Sequence, residues 1–394
     1  MISRRRTLTG IGIGLAAAGT TAAVGVVADR LARALQTAKA LDSVDTYEEV
    51  PTAQVLVIAD DGVPLHVEID EPGGVAAGTA NDAGALTVVV SHGYTLSLRS
   101  WVFQRRALKE AGYRVVLWDQ RGHGRSGAGS KESYEIDQLG LDLYAVISAV
   151  APRGPLILVG HSMGGMTQMS LAAHHPTLIR DRVIGVAFVA TSPGGISAVY
   201  WGLGKLLGKA VHRLGPFAVG QLAGRQGLVN SVLKAGREVE EYFVDLYSFA
   251  SPVPLSVVRL TADMIFKTRM EVISDFMETF DKHDKREALE QFIGVETLVI
   301  NGVQDMLTPP AHSEEIVRLI PGAEHVLVND AGHLVMLEHG DVVSEQLMLL
   351  IRRAERAAAA QLDQHDKPRV RRTITDLAMR RRVKALPGRR RSVS

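Results

Sequence analysis

One stretch of the chain, PLILVGHSMGG at residues 155–165, limits the fold more than any other. An apolar run ends at Gly160, a serine follows at position 162, and a helix-like pattern begins after it. Continuous apolar runs of this kind are typical of strands that are buried on both faces, as in parallel sheets. Functional groups in such sheets collect at the carboxyl ends of the strands. The stretch therefore predicts a parallel sheet with Ser162 at its functional edge.

Strand-like and helix-like patterns alternate along the chain from Val50 to about Arg356. The segment QVLVIADDGVPLHVEID alternates apolar positions around Asp61-Gly62, which predicts a β-hairpin. The order of the later segments predicts an α/β fold, a mostly parallel sheet with helices on both faces. Further strands are predicted in ALTVVVSHG, YRVVLWD, PLILVGH, RVIGVAFVA, ETLVINGVQD and EHVLVND, and helices in WVFQRRALKEAG, YEIDQLGLDLYAVISAV, MTQMSLAAHH, SEEIVRLI and VVSEQLMLLIRRAERAAAA.

The patterns divide the chain into five segments. Residues 50–192 and 293–358 are predicted to form the two parts of the core, and the hydrophobic fraction of 46% is sufficient to fill it. Residues 193–292 lack strand patterns and are predicted to be a helical insertion, a cap on the core. Residues 1–34 are predicted to be a targeting or membrane-anchor segment, and residues 363–394 a basic, disordered tail.

The N-terminal segment carries Arg4, Arg5 and Arg6 before a charge-free stretch from Thr7 to Ala28. This stretch is long enough to cross a bilayer, although it is rich in Gly, Ala and Thr rather than Leu. The pattern resembles a twin-arginine export signal, and an uncleaved signal anchor is the alternative. We expect a bacterial protein that is held at the cell membrane or exported, rather than a cytoplasmic one.

The tail at residues 363–394 contains eleven Lys or Arg residues and three Asp residues. This composition favours a solvated tail, and the alternative is attraction to an anionic membrane or envelope surface, as a second contact besides the N-terminal helix. No nucleic-acid partner is expected, because no aromatic residue is interleaved with the arginines and the whole chain has a net charge of only +1.

The chain contains no cysteine. This excludes disulfides, cysteine nucleophiles and thiolate metal sites. We expect a small-molecule substrate. We expect no cofactor and no metal.

Ser162 lies within the pattern Gly-x-Ser-x-Gly, at Gly160–Gly164. Between a strand and a helix, this pattern predicts a nucleophile elbow, a sharp turn whose strained serine holds its hydroxyl clear of the sheet. Glycines are expected at the two ends because side chains there would collide with the neighbouring helix and strand. A serine hydroxyl becomes a good nucleophile only when a base takes its proton and an acid orients that base.

Asp305 and His333 are the predicted acid and base. The first comes just after the strand in LVINGVQD, and the second lies in a loop after the next strand, so both are expected at the sheet edge that carries the nucleophile. The competing residues are less suitable: His325 begins a strand, His339 lies one helix further on, and Asp330 is too near the base in sequence to approach its ring from behind.

Two backbone N–H groups are predicted to form an oxyanion hole for the negative charge that develops during acyl transfer. One belongs to Met163, which follows the nucleophile. The other is expected from the loop after the strand LTVVVS, where the N–H of Tyr94 is the favoured donor. His92 in the same loop is expected to brace the backbone rather than to act in catalysis.

Five motifs, SHGYT, WDQRGHGRS, GHSMGG, NGVQDMLTP and AGH, together resemble the α/β-hydrolase superfamily in its esterase, lipase and cofactor-free haloperoxidase-like branch. The resemblance covers about Val50 to Arg356. It implies that the loop at residues 119–126 is structural and that the helical insertion roofs the substrate pocket. Epoxide hydrolases and haloalkane dehalogenases of this fold carry Asp at the elbow. The serine at position 162 of this chain therefore argues against both activities. The resemblance implies a site made of Ser162, Asp305 and His333 with the backbone amides of Tyr94 and Met163.

The implied function is that of a serine hydrolase that cleaves a carboxylic ester, either a small to medium acyl ester or a lipid ester. Ser162 would be acylated, and water activated at His333 would then release the acyl group. One alternative is the same triad acting on a thioester, an amide or a carbon–carbon bond, or in perhydrolysis. Another is a non-catalytic binding protein with this fold, against which the complete triad argues.

Overall fold

The computed structural model describes residues 42, 45–73, 84–195, 248–360 and 370–374. Within these residues, nine strands form one sheet. The strands are β1 (Ala53–Ile58), β2 (Pro64–Asp70), β3 (Thr87–Ser91), β4 (Arg114–Trp118), β5 (Leu156–His161), β6 (Val183–Val189), β7 (Glu296–Gly302), β8 (Glu324–Val328) and β9 (Arg371–Ile374). Their order across the sheet is β1-β2-β4-β3-β5-β6-β7-β8-β9.

The direction of the strands agrees with the predicted α/β class. β2 is antiparallel to both β1 and β4, and every other neighbouring pair is parallel. The predicted hairpin is confirmed, since β1 and β2 pair from Ala53↔Ile69 to Ile58↔Pro64 and Gly62 in the turn has a φ of 86°. A positive φ is easily adopted by glycine, which explains its place in this turn.

Helices cover both faces of the sheet. α1, α5, α8 and α9 pack on one apolar core, and α2, α3, α4 and α7 pack on the core of the opposite face. The helices are α1 (Val102–Glu110), α2 (Ile136–Val150), α3 (Met163–His174), α4 (Pro176–Arg182), α5 (Leu255–Lys267), α6 (Met270–Lys282), α7 (Pro310–Leu319), α8 (Val335–Glu338) and α9 (Gly340–Ala360), with 3₁₀ turns at Leu98–Trp101, Lys131–Ser133 and Glu287–Phe292.

The parallel strands bring six loops to one edge of the sheet, since their carboxyl ends point the same way. These loops follow β3, β4, β5, β6, β7 and β8, and the predicted site residues lie in them or, for Met163, at the start of the helix that follows.

The predicted cap is described in part. Helices α5 and α6 lie within residues 193–292, and an isolated antiparallel bridge joins Gly194 to Asp284 at the base of the insertion. Residues 196–247 of the cap and the predicted targeting segment at residues 1–34 lie outside the described residues. In the part of the chain that is described, no helix combines the length and apolarity needed to cross a membrane.

The basic tail differs from its prediction at one place. Its composition predicts disorder over residues 363–394, but Arg371–Ile374 forms β9 and pairs in parallel with β8. Two ion pairs accompany this backbone pairing, since Arg371 lies 2.6 Å from Glu314 and Arg372 pairs with Glu324. Residues 363–369 and 375–394 lie outside the described residues.

Candidate active site

Ser162 forms the turn between β5 and α3. Its φ of 50° and ψ of −117° are a strained conformation for a residue with a side chain, as the elbow pattern predicts. A Cβ atom on Gly160 would lie 2.5 Å from the carbonyl oxygen of Gly164. One on Gly164 would lie 2.3 Å from the carbonyl oxygen of Ser91 on β3. The predicted need for both glycines is therefore confirmed.

The backbone of Ser162 is held firmly, whereas its hydroxyl is not. Its N–H donates to the oxygen of Val189 at 2.9 Å, and its carbonyl accepts from Thr191 Oγ1 at 2.6 Å. The side chain is 1% exposed, and its Oγ has no hydrogen-bond partner among the described residues. The hydroxyl also lies at the N-terminus of α3, where the helix dipole favours negative charge.

Asp305 and His333 form a buried pair, with Oδ2 of the aspartate 2.9 Å from Nδ1 of the histidine. Oδ1 accepts from the backbone N–H groups of Leu307 at 2.8 Å and Thr308 at 2.9 Å, and Oδ2 accepts from Thr308 Oγ1 at 2.8 Å. These donors hold the carboxylate in the orientation that meets the ring. A carboxylate acceptor places the ring proton on Nδ1 and leaves Nε2 able to accept a proton.

Thr308 contacts both members of this pair, which the sequence alone does not predict. Its hydroxyl donates a hydrogen bond to the carboxylate of Asp305 and also lies 3.3 Å from Nδ1 of His333. A threonine three residues after an aspartate in a loop is a recognisable turn signal, although the signal does not reveal the histidine.

His161 connects the nucleophile elbow to the loop of His333. Its Nε2 donates to the backbone oxygen of His333 at 3.0 Å, and the two ring centroids are 4.7 Å apart. Burial holds the pKa of His161 well below its ordinary value, so the ring is neutral at neutral pH. The predicted nucleophile and base are thus brought to the same place.

The competing residues make other contacts. His325 Nε2 lies 3.0 Å from Ser313 Oγ, and His339 Nε2 donates to the backbone oxygen of Asp330 at 2.8 Å. The described contacts therefore favour the pairing of Asp305 with His333.

The predicted oxyanion loop lies directly against the nucleophile. A Cβ atom on Gly93 would stand 2.5 Å from Nδ1 of His161 and 3.3 Å from Cβ of Ser162. Tyr94 follows in this loop, and Met163 is the first residue of α3, so its N–H has no acceptor within the helix. The structure thus brings the loop of Tyr94 and the N–H of Met163 to the nucleophile, with their role as donors remaining a prediction.

His92 braces this loop through contacts consistent with its predicted role. Its Nδ1 lies 2.7 Å from the oxygen of Gly93, and its Nε2 accepts from the backbone N–H of Gln120 at 2.9 Å. Gln120 Nε2 donates in turn to the oxygen of His92 at 2.6 Å, and Gln120 Oε1 accepts from Thr167 Oγ1. Burial lowers the pKa of His92 to about 3, so the ring is uncharged and suited to a fixed network.

The loop at residues 119–126 is held by buried charge. Asp119 Oδ1 accepts from the N–H of Leu98 at 2.8 Å, and burial raises the pKa of this carboxyl to about 6. Arg121 lies between two carboxylates, those of Asp61 and Asp142, at 2.6 Å from each. These contacts fit the structural role that the resemblance implies.

The cap helix α6 packs on the oxyanion loop. The hydroxyl of Tyr94 donates to the backbone oxygen of Ile273 at 2.5 Å, and its ring lies 5.1 Å from that of Phe280 and 6.2 Å from that of Phe276, between centroids. Met163 belongs to the same apolar cluster. These side chains therefore form a buried apolar cluster that packs on the oxyanion loop and the start of α3.

No group of three or more His, Cys, Asp or Glu side chains in the described ranges is arranged to hold a metal ion.

Comparison with known proteins identifies clear relatives. A family model described as the alpha/beta hydrolase fold matches residues 87–340. The chain is 26% identical over 280 residues to the dihydrolipoyllysine-residue acetyltransferase component of the acetoin cleaving system of Pseudomonas putida, a match that covers 68% of this chain but only 64% of that protein. It is 26% identical over 284 residues to a non-heme haloperoxidase of Rhodococcus erythropolis, covering 67% of this chain and 91% of the relative.

Solved structures show the same architecture. The structure of an esterase from Exiguobacterium antarcticum superposes with a TM-score of 0.59 and 19% sequence identity. The superposition covers 76% of this chain and 100% of the esterase chain. At this identity the likeness concerns the fold.

Proposed function

This chain belongs to the α/β hydrolase fold family, and from this membership we propose that it is a serine hydrolase that cleaves carboxylic esters. The proposal rests on the 2.9 Å contact between Asp305 and His333 at the edge of the sheet that carries the strained Ser162. A nucleophile, a base and an orienting acid are the parts that acyl transfer requires.

The reaction begins when His333 Nε2 takes the proton of Ser162 Oγ while that oxygen attacks the acyl carbon. The N–H groups of Tyr94 and Met163 stabilise the oxyanion of the tetrahedral intermediate. The imidazolium, held by Asp305, returns its proton to the leaving alkoxide, which departs as the alcohol. Water, deprotonated by the same imidazole, then attacks the acyl-enzyme, and the carboxylic acid is released with Ser162 restored.

The proposed substrate is a small to medium acyl ester or a lipid ester. The apolar cluster that the aromatic side chains of α6 form with Tyr94 and Met163, next to the elbow, supports an apolar acyl group.

The same residues can act on a different bond. The second candidate function is the same triad acting on a thioester, an amide or a carbon–carbon bond, or in perhydrolysis. Similarity to a haloperoxidase supports perhydrolysis among these. A purely binding role is disfavoured, since binding alone would not require a strained serine and a paired acid and base.

We also propose that the protein works at the bacterial cell envelope. The sequence of the N-terminal segment supports this location, and the basic tail supports contact with an anionic surface.

The test of function is hydrolysis of p-nitrophenyl esters of graded acyl length by the full chain, with Ser162→Ala as the control. Turnover of at least one ester by the wild type and none by the variant supports the proposal. Equal turnover by both proteins would contradict it. Activity on thioesters or amides alone would move the assignment to the second class of bond.

A further inference from the structure

Glu338 is a buried carboxylate that the mechanism above does not use. It is the last residue of α8, five positions after His333, and its side chain is 0% exposed. Placing a carboxylate in the interior is unfavourable unless hydrogen bonds satisfy its oxygens. Its partners therefore indicate what it holds in place.

The two oxygens of Glu338 join two separate parts of the chain. Oε1 accepts from the backbone N–H of Ala250 at 3.0 Å and from that of Ser251. Oε2 accepts from the backbone N–H of Gly332 at 2.7 Å. Ala250 and Ser251 lie in the insertion just before α5, whereas Gly332 immediately precedes His333.

A second hydrogen bond holds the other side of the histidine. The N–H of Leu334 donates to the oxygen of Ser248 at 3.0 Å. A Cβ atom on Gly332 would lie 2.7 Å from that same oxygen and 3.0 Å from the nitrogen of Ala250, so the two backbones are in close contact. His333 is therefore flanked on both sides by backbone that is bonded to the 248–251 segment or to Glu338.

We propose that Glu338 is a positioning residue for His333, which fixes the histidine loop to the 248–251 segment of the cap. This inference rests on the proposed acyl transfer. The carboxylate holds the base in position relative to Ser162, and that position therefore depends on how the 248–251 segment of the cap packs on the core. Small displacements of a catalytic group lower rates strongly, on the order of a hundredfold for about 1 Å.

Glu338→Gln is the direct test, because the amide is isosteric but its nitrogen cannot accept a hydrogen bond. One of the two sides must then lose its acceptor. The matched control is Glu71→Gln, which alters a buried carboxylate that lies 3.1 Å from Arg114 at the opposite edge of the sheet. Both substitutions convert a buried carboxyl group into an amide of the same size.

The readout is the rate of labelling by a fluorophosphonate, which reacts with an activated serine whatever the natural substrate. We expect Glu338→Gln to be labelled about 10- to 100-fold more slowly. We also expect it to lose the low-field proton resonance of the His333–Asp305 hydrogen bond, with Glu71→Gln unchanged in both respects. Equal labelling rates and an intact resonance in Glu338→Gln would overturn the proposal. Failure of the wild type to react would instead contradict the proposed function.

Amide hydrogen exchange of the wild type provides a second test that does not depend on the variant folding. Since one carboxylate holds all three groups, the N–H groups of Ala250, Ser251 and Gly332 should be protected and should exchange with similar rates. Fast exchange at Ala250 and Ser251 beside slow exchange at Gly332 would show that the carboxylate does not join the two segments.

Discussion

In this structure His161 Nε2 donates a hydrogen bond to the backbone oxygen of His333 at 3.0 Å. The residue before the proposed nucleophile is thus bonded directly to the proposed base. Its other ring nitrogen, Nδ1, is buried and has no hydrogen-bond partner in the described structure. The position that a Cβ atom of Gly93 would occupy is only 2.5 Å from this nitrogen. Three loops, those of β3, β5 and β8, therefore meet at one imidazole.

Gly93→Ala should disturb all three loops, because the added methyl group displaces the ring of His161 and approaches Ser162. We expect kcat to fall by about 10- to 100-fold, with a smaller effect on KM, since the geometry of the reacting groups is altered. Gly112→Ala would meet a positive φ, so Gly73→Ala is the better control, because no atom of the described residues lies within 4 Å of the added Cβ there. Ester kinetics of both variants provide the measurement, and similar values of kcat would contradict the expectation.

Ser162→Ala should abolish both fluorophosphonate labelling and ester turnover, since no other described residue occupies the elbow. The fold should be retained, because the backbone contacts of this residue to Val189 and Thr191 do not involve its hydroxyl. Mass spectrometry of the labelled wild type should locate the adduct on this serine. An adduct elsewhere would exclude it as the nucleophile.

Asp305→Asn should lower kcat by several orders of magnitude, on the order of 10⁴ by analogy with other triads. The amide nitrogen would face either the N–H of the histidine or the donors from Leu307 and Thr308. Asp330→Asn is a suitable control, because the φ of 54° at this position is one that asparagine tolerates well. Strong loss of activity in Asp330→Asn alone would reverse the assignment of the acid.

Much of this arrangement was accessible from the sequence because it depends on local patterns. The apolar run before Gly160 predicts β5 (Leu156–His161), and the order of strands and helices predicts the α/β class. The resemblance to the α/β-hydrolase superfamily is confirmed by the family match over residues 87–340.

The remaining features depend on contacts between distant residues. Glu338 stands in the ordinary helical segment LVMLEHG, and its donors Ala250 and Ser251 lie far away in the sequence. β9 likewise pairs with the distant strand β8 and contacts Glu314 and Glu324, which a count of charges in the tail does not reveal. A local pattern carries no information on such pairings.

The pH dependence of stability should reveal the buried Glu338. Burial raises the pKa of its carboxyl to about 7 from an ordinary value of 4.5, against the opposing effect of the N–H donors, and His339 Nε2 lies 4.0 Å from its Oε1. The folded state then binds this proton more tightly than the unfolded state. This group therefore lowers the free energy of unfolding as the pH rises from about 4.5 to about 7.

Glutamine does not titrate, so the wild type should lose stability relative to Glu338→Gln over this pH interval, by an amount on the order of 3 kcal/mol. Urea unfolding of both proteins at several pH values between about 4 and 8 measures the difference. A difference that is constant with pH would show that the carboxyl has the same pKa in the folded and unfolded states.

The location of the protein can be tested independently of its activity. Arg4, Arg5 and Arg6 precede the apolar stretch that ends at Ala28, and positive residues on that side favour an orientation with the hydrolase domain outside the cytoplasmic membrane. Arg30 after the stretch acts in the opposite direction. We expect protease added to spheroplasts to digest the domain while a cytoplasmic marker stays intact, and lysed cells to show digestion of both. Full protection of the domain in spheroplasts would place it in the cytoplasm.

N-terminal sequencing then separates release from retention, because a mature chain that starts at Asp29 has lost the anchor and leaves the basic tail as the remaining contact with the membrane. Salt should weaken that contact, since attraction between a basic segment and anionic lipid is screened within about 10 Å at 0.1 M ionic strength.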